Sequence, residues 1–184
     1  LKYILPTFLK TAKKLQLRYP SLIVYIPSCR RAFDEKFRKG LEKYEIKGKV
    51  ISQQDDYELM PYIYSLTKLA LCKSGTVNME LALYGIPQII GYRVSRVTAF
   101  IAKRILNFKV RFISPVNLLM EKIIIPEFVQ KNFNEKKIFH KACRLLDLTS
   151  EKAKIKKGYT LLKKELGEEG VVDRAAKEII NSII

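Results

Sequence analysis

The sequence predicts a doubly wound α/β domain on a parallel sheet, followed by additional carboxyl-terminal helices. Three observations carry that expectation. Through the first half of the chain, segments with helical spacing alternate with short apolar runs, helix then strand, four times over. Those runs are continuously apolar rather than alternating, as strands covered on both faces require. The connections are short, and this alternation is the signature of parallel strands joined by crossover helices.

The elements follow in order. Phe8, Leu9, Ala12, Leu15 and Leu17 recur at helical spacing between Pro6 and Pro20, with lysines opposite, and predict an amphipathic helix. Leu22-Ile-Val-Tyr-Ile26 reads as a central parallel strand. Arg31 to Tyr44 is helical, with Phe33, Phe37 and Leu41 on one face, and Lys49-Val-Ile51 is a short strand. Asp55-Asp56 offers a cap for a helix through Tyr57, Leu59, Met60, Ile63 and Leu66. The strand Leu69 to Cys72 meets a Ser74-Gly75-Thr76 turn that opens a helix; Gly85 closes it, and Pro87 to Ile90 leads into the next strand. Ser95 to Leu106 reads as a basic amphipathic helix and Arg111-Phe-Ile113 as an edge strand. Pro115-Val-Asn117-Leu-Leu reads as an irregular loop or short turn, and Ile123 to Gln130 as the entry to a short helix with Pro126 near its first position. Asn134 caps a helix through Ile138, Ala142, Leu145 and Leu146. Thr149 or Ser150 caps the next, from Glu151 to Leu166, and beyond Gly167 and Gly170 a last helix runs from Val171 to Ile184. Residues 1–147 are taken as the sheet domain and 148–184 as its helical extension.

Composition narrows the function classes. A chain of 184 residues with 48% hydrophobic and 29% charged content suits one soluble domain with a real core. There is no run of eighteen or more apolar residues, so no membrane-spanning helix is expected. Lys2, Lys10, Lys13, Lys14 and Arg18 interrupt the first twenty residues, which excludes a signal peptide there. The chain starts without Met inside an apparent element, which suggests a fragment of something larger. Cys29, Cys72 and Cys143 lack metal-ligand spacing and have only His140 to join them, so neither a metal site nor a disulfide framework is expected. That sparse usage fits a reducing compartment. The excess of 35 basic over 18 acidic residues, a net charge of +17, favours an anionic partner, nucleic acid or an acidic membrane surface. Lysines scattered along the whole chain fit a compositional bias equally well.

Several catalytic arrangements can be set aside. A Cys–His nucleophile would need Cys29, Cys72 or Cys143 beside His140, which sits mid-helix among lysines at a spacing that gives it no support, and Ser74 lies in no nucleophile-elbow pattern. No phosphate-loop lysine motif and no Gly-x-Gly-x-x-Gly is present. The Ser74-Gly75-Thr76 turn is the stronger candidate. A helix starting there directs backbone N–H groups at the carboxyl edge of the sheet, Gly75 permits close approach, and two hydroxyls flank it, a setting suited to a diphosphate. Glu80, four residues after Thr76, falls on the same helix face, where a carboxylate can accept from the vicinal hydroxyls of a ribose. The plainer reading is that Ser74 or Thr76 caps the helix and Glu80 complements its dipole.

Ser74-Gly-Thr, Glu80, Gly85-Ile-Pro87, Gly91-Tyr92-Arg93, Asn117-Leu-Leu and Pro126-Glu127-Phe-Val-Gln130 occur in an order that resembles the carboxyl-terminal half of the lipid-A-disaccharide synthases. Phe8-Leu-Lys-Thr-Ala12 and Tyr19-Pro20 are similar to that family too, so the likeness covers most of residues 1–147. The resemblance implies the Rossmann-like carboxyl-terminal domain of a two-domain GT-B glycosyltransferase. It also implies a substrate, UDP-2,3-diacylglucosamine, whose sugar passes to lipid X (2,3-diacylglucosamine 1-phosphate) in lipid A biosynthesis. Ser74, Gly75, Thr76 and Glu80 would then face the nucleotide, with Glu127 and Gln130 in a Pro-Glu-x-x-Gln element beside it. Tyr92 and Arg93 match a Gly-Tyr-Arg motif, Arg93 either neutralising phosphate or serving the strand end. Asn117 matches the Asn of a Pro-Asn pair important for activity and is the catalytic candidate on this chain. Here Val116 separates it from Pro115, a departure that implies a differently shaped loop.

The family's Gly-Ser-Arg loop and its amino-terminal acceptor domain, where the general acid or base is expected, have no counterpart in these residues. The chain alone is therefore expected to be inactive. No metal or other cofactor is expected, since backbone dipoles and arginines suffice for the diphosphate. The implied setting is cytoplasmic, held peripherally at the anionic inner membrane, with the basic helix Ser95–Leu106 either a lipid-facing surface or a helix packed on the sheet. The alternative is a non-catalytic basic α/β module for an anionic partner. The lack of an aromatic recognition strand or a helix-turn-helix pattern weighs against nucleic acid.

Overall fold

Among the described residues every strand pairing runs parallel, and each strand is reached through a helix. The computed structural model describes residues 2–52, 57–95, 111–167 and 170–183. Helix α1 (Leu5–Arg18) leads to β1 (Val24–Ser28), α2 (Arg31–Lys43) to β2 (Gly48–Ser52), and α3 (Met60–Leu66) to β3 (Ala70–Lys73). Helix α4 (Val77–Leu83) leads to β4 (Gln88–Tyr92), and the short α5 (Pro115–Leu119) to β5 (Glu127–Val129). Helices α6 (Glu135–Asp147), α7 (Thr149–Leu166) and α8 (Val171–Ile183) follow. The α/β class and the order of the first eight elements are as the sequence predicts.

Among the described residues the strands form two parallel sheets rather than one, β1 with β2 and β3-β4-β5. Val24 lies opposite Gly48, Ala70 opposite Gln88, and Ile90 opposite Glu127. β1 is therefore not the central strand expected. It starts two residues later than the apolar run suggested, and Tyr25 is exposed. β4 is the buried centre, with Ile89 and Ile90 fully covered.

The main core gathers Ile89 and Ile90 with Val116, Ile125, Phe133, Ile138, Ala142, Leu145, Ile155 and Leu162. Helix α7 thus packs on the same core as the sheet. A second cluster joins Ile51 of β2 to Met60, Ile63 and Tyr64 of α3 and to Leu81 and Ile86. A third joins Leu9 and Ala12 of α1 to Leu41 and Ile46, with Val24 and Ile26 against it.

Local chemistry sets several boundaries. Gly85, at φ +71°, ends α4: its N–H donates to Ala82 O at 3.0 Å and that of Ile86 to Leu81 O at 2.9 Å, the paired bonds of a Schellman closure. Asn134 caps α6 as predicted, its Oδ1 accepting from Lys137 N–H at 3.0 Å. Gly91 sits under an edge-to-face pair of Phe8 and Phe133, whose ring centroids are 5.2 Å apart.

Other expectations are corrected. Leu17 is 71% exposed, because it lies about 200° around the helix from buried Leu15. Arg111 to Ile113 is not a strand; the N–H groups of Ile113 and Ser114 go to a carboxylate instead. Pro115 to Leu119 is a short helix capped by Ser114. Glu127 to Val129 is a strand, not a helix, because its pairing with β4 outweighs the local helix-start pattern. α7 begins at Thr149 with no side-chain cap. The proposed Asp55-Asp56 cap and nearly all of the Ser95–Leu106 helix lie outside the described residues.

Candidate functional site

The register of the three-stranded sheet brings the predicted residues to one edge. Lys73, the last residue of β3, is opposite Gly91, and Tyr92, the last of β4, is opposite Val129, the last of β5. Parallel strands end at the same side, so Ser74-Gly75-Thr76, Arg93 and Gln130 all leave the sheet at its carboxyl edge. Open α/β sheets hold ligands at such an edge.

The turn is built by a residue that sequence reasoning passed over. Asn78 is fully buried; its Oδ1 accepts from Gly75 N–H at 2.9 Å and its Nδ2 donates to Lys73 O at 3.2 Å. The N–H of Asn78 returns to Gly75 O at 3.1 Å. Neither Ser74 nor Thr76 caps α4 with its side chain: Thr76 stands at the cap position without such a bond, and the Ser74 hydroxyl donates to Ile113 O. The Gly75 donor is thus committed to the turn, so the available donors are those a helix start leaves over, at Thr76 and Val77. Thr76 and Glu80 are both exposed. A Cβ at Gly75 would meet no atom within 4 Å, so the space above the turn is open.

Arg93 holds the neighbouring strand end. Its Nη2 donates to Gln130 O at 3.1 Å and to Phe133 O at 2.5 Å, and the guanidinium lies 5.4 Å from the Phe133 ring centroid. Of its two predicted roles, the strand-end one has direct partners. Gln130 has φ +50°, an uncommon conformation for a side-chain-bearing residue, and like Tyr92 it is half-buried.

Glu127 and Asn117 meet each other rather than open space. Glu127 accepts from Ile113 N–H and Ser114 N–H, both at 2.9 Å, from Ser114 Oγ at 2.6 Å and from Asn117 Nδ2 at 2.8 Å. Asn117, fully buried, also donates to Ile125 O at 2.8 Å and accepts from Ile124 and Ile125 N–H at 2.8 and 3.0 Å. Its amide makes four bonds, the capacity of that group. The pair pins the segment beginning at Ile113 to the start of β5, and the Ser74–Ile113 bond links that segment to the turn.

A second buried polar chain reaches the turn from α7. Gln88, fully buried, donates from Nε2 to Asn78 O at 2.9 Å and to Tyr159 Oη at 3.0 Å. Burial raises the Tyr159 hydroxyl well above its ordinary pKa, with the Gln88 bond acting the other way. Burial likewise pushes the Cys72 thiol up to about 12, opposed by a bond from Asn78 Nδ2 at 3.3 Å, so Cys72 is a protonated packing group. The one sequence signal for this chain was Gln88, a polar residue at the head of an apolar strand.

Among the described residues no three or more His, Cys, Asp or Glu side chains gather to hold a metal. No described helix is long and apolar enough to cross a membrane.

Comparison with known proteins gives one answer throughout. Residues 1–183 match the family model described as Lipid-A-disaccharide synthetase. The lipid-A-disaccharide synthase of Prochlorococcus marinus (strain MIT 9313) is 44% identical over 181 residues, covering 98% of this chain and 46% of that protein. Those of Gloeothece citriformis and Synechocystis sp. are 34% and 32% identical, covering 100% and 98% of this chain and 46% and 45% of theirs. The chain therefore spans about half the length of these curated relatives.

Proposed function

The chain belongs to the lipid-A-disaccharide synthetase family, and from that premise we propose that it is the part of such an enzyme that holds the UDP of the sugar donor. The observation that carries the reading is the convergence of the Ser74-Gly75-Thr76 turn, Arg93 and Gln130 on one carboxyl sheet edge, with open space above Gly75. The Thr76 and Val77 N–H groups would receive the diphosphate, and exposed Glu80 the ribose hydroxyls. Glu127 and Asn117 would act by shaping the segment against which the turn is held. Arg93 would fix Gln130 at the rim and add positive charge there.

The donor in this reading is UDP-2,3-diacylglucosamine and the acceptor lipid X, giving the β-1,6-linked disaccharide. An acceptor hydroxyl attacks the anomeric carbon as its bond to UDP breaks, with inversion. Backbone donors at the turn take up the negative charge that grows on the leaving diphosphate. The base that accepts the hydroxyl proton would come from polypeptide outside these residues. An excess of 35 basic over 18 acidic residues favours docking at an anionic lipid surface, where both lipid substrates reside.

Thermal unfolding with and without UDP tests the reading. A ligand at a hundredfold its Kd stabilises the native state by about 2.7 kcal/mol, a shift readily seen. Millimolar UDP should raise Tm, and Glu80→Ala should abolish that rise while leaving the Tm without UDP unchanged, since Glu80 is exposed. An unchanged wild-type Tm would sink the nucleotide reading. Oligonucleotide binding with steep salt dependence in its place would favour the basic binding module.

A further inference from the structure

We propose that the loop of residues 118–123 and the lysine face of α7 beside it form one surface that docks on a bilayer containing anionic phospholipid. This gives a place on the chain to the lipid docking inferred from net charge, and it rests on that reading. UDP enters nowhere in it.

The loop holds aliphatic groups in water. Leu118 is 52% exposed, Leu119 50% and Ile123 76%. Single exposed leucines are ordinary, but connecting segments are normally polar, and three such side chains among six residues make a patch. The charges of exposed Glu121 and Lys122 cancel within it. Nor can the tip fold inward. Asn117 ties its ends together, its Oδ1 accepting from Ile124 and Ile125 N–H at 2.8 and 3.0 Å and its Nδ2 donating to Ile125 O at 2.8 Å. Val116 and Ile125, on either side, are fully buried.

The loop's end is seated on α7. A Cβ at Gly158 would stand 2.4 Å from Ile124 Cγ2, so Ile124 fills the notch that this glycine leaves in the helix. Lys154 and Leu161 lie one turn from Gly158 along the helix surface, and Leu161 is 38% exposed. The exposed residues of α7 include five lysines, Lys154, Lys156, Lys157, Lys163 and Lys164, against one acid, Glu165. Among the described residues none of these lysines is held in an ion pair, whereas the other acid of α7, Glu151, is taken by Lys141 and Arg144. Aliphatic side chains and uncommitted cations thus adjoin.

Charge and side-chain type choose the occupant. A bilayer receives aliphatic side chains at the boundary of headgroup and acyl chain, while lysines meet the anionic headgroups. Single-stranded nucleic acid is held by aromatic stacking beside cations, and the exposed apolar side chains of this surface are all aliphatic. A second copy meeting the same face would set lysine against lysine, which costs rather than stabilises.

Cosedimentation of the 184-residue chain with vesicles of phosphatidylcholine, with and without about a quarter phosphatidylglycerol, tests the surface. The chain should bind the anionic vesicles, less so as salt rises. Leu119→Ser with Ile123→Ser should lower the partition coefficient by about tenfold or more and leave Tm unchanged, since both side chains are exposed. Lys154→Gln with Lys157→Gln should also lower it by about tenfold, whereas Lys36→Gln with Lys43→Gln, an equal loss of charge from exposed positions on α2, should change it by less than about twofold. Equal losses from the two lysine pairs would overturn the proposal, because total charge and not this surface would then govern binding. So would full binding by the Leu119, Ile123 variant, or a self-association that this variant abolishes while vesicle binding persists, which would make a second copy the occupant. A wild-type chain that ignores anionic vesicles would overturn the lipid docking as a whole and leave the nucleotide reading, measured by Tm with UDP, untouched.

Discussion

The hydroxyl of Tyr159 accepts a hydrogen bond from Gln88 Nε2 at 3.0 Å and donates one to Ile86 O at 3.0 Å, both inside the core. The first of these bonds links residues 71 positions apart. It makes α7 a support for β4, and through the bond from Gln88 to Asn78 O, a support for the turn that begins at Ser74. A polar chain in a core is costly when broken, because the stranded partners cannot reach water. Tyr159→Phe should therefore lower stability by about 1–3 kcal/mol. Gln88→Leu should cost a similar amount, and the double variant less than the sum, since both remove one bond. Urea unfolding of the four proteins checks this; strict additivity would show that the pair does not act as a unit.

Two glycines near the site should respond in opposite ways. At Gly91 an added Cβ would stand 2.1 Å from Phe133 Cε2 and 2.6 Å from Phe8 Cζ, and fully buried Phe133 has no room to retreat. Gly91→Ala should destabilise by about 1–3 kcal/mol or more, the range for overpacked cores. At Gly75 the same methyl meets nothing within 4 Å, so Gly75→Ala should leave Tm nearly unchanged. Under the nucleotide reading that methyl would occupy ligand space, so Gly75→Ala should weaken the UDP-dependent rise in Tm. A Gly75→Ala protein with full UDP response would place the diphosphate elsewhere.

Glu127 and Asn117 separate shaping from chemistry. Glu127→Ala strands two backbone N–H groups, a hydroxyl and the Asn117 amide, and should cost about 2–4 kcal/mol, as loss of a charged multi-bond acceptor does. Glu127→Gln retains the shape and one acceptor oxygen and should recover part of that loss. Calorimetry reads both without substrate. Variants that lose turnover in the complete enzyme yet keep wild-type stability would instead assign these residues to the reaction.

What was legible in the sequence was what local chemistry decides. Gly85 and Asn134 end and start helices through bonds within a few residues, and both read correctly. The alternation of helix and apolar run gave the α/β class for the same reason. β5 was misread because Pro126 and Glu127 make a good helix start locally, whereas Ile90 and Tyr92 recruit the segment into the sheet from far away in sequence. Ser114, Asn78 and Tyr159 went unnoticed because a buried polar group looks like a surface one until its partners are known. The turn itself follows from local pattern, but the residue that shapes it, Asn78, sits inside that pattern and carries no mark of its own.

The pH dependence of stability should have an acid-side component at the junction of α6 and α7. Glu151, with 12% of its side chain exposed, accepts from Lys141 Nζ at 2.6 Å and from Arg144 Nη2 at 2.7 Å. The Lys141 bond, ahead of the Arg144 contribution, holds the Glu151 carboxyl below its ordinary pKa, while burial opposes it. A carboxyl with a depressed folded-state pKa adds stability above its unfolded value, about 4.3 for Glu, and loses it as pH falls through the folded one. Glu151→Gln should therefore lower Tm at neutral pH, and the gap from wild type should close as pH falls below about 4. Thermal unfolding of both proteins across pH 3 to 7, at fixed ionic strength, measures the gap; a difference independent of pH would mean that Glu151 acts by packing and not by charge.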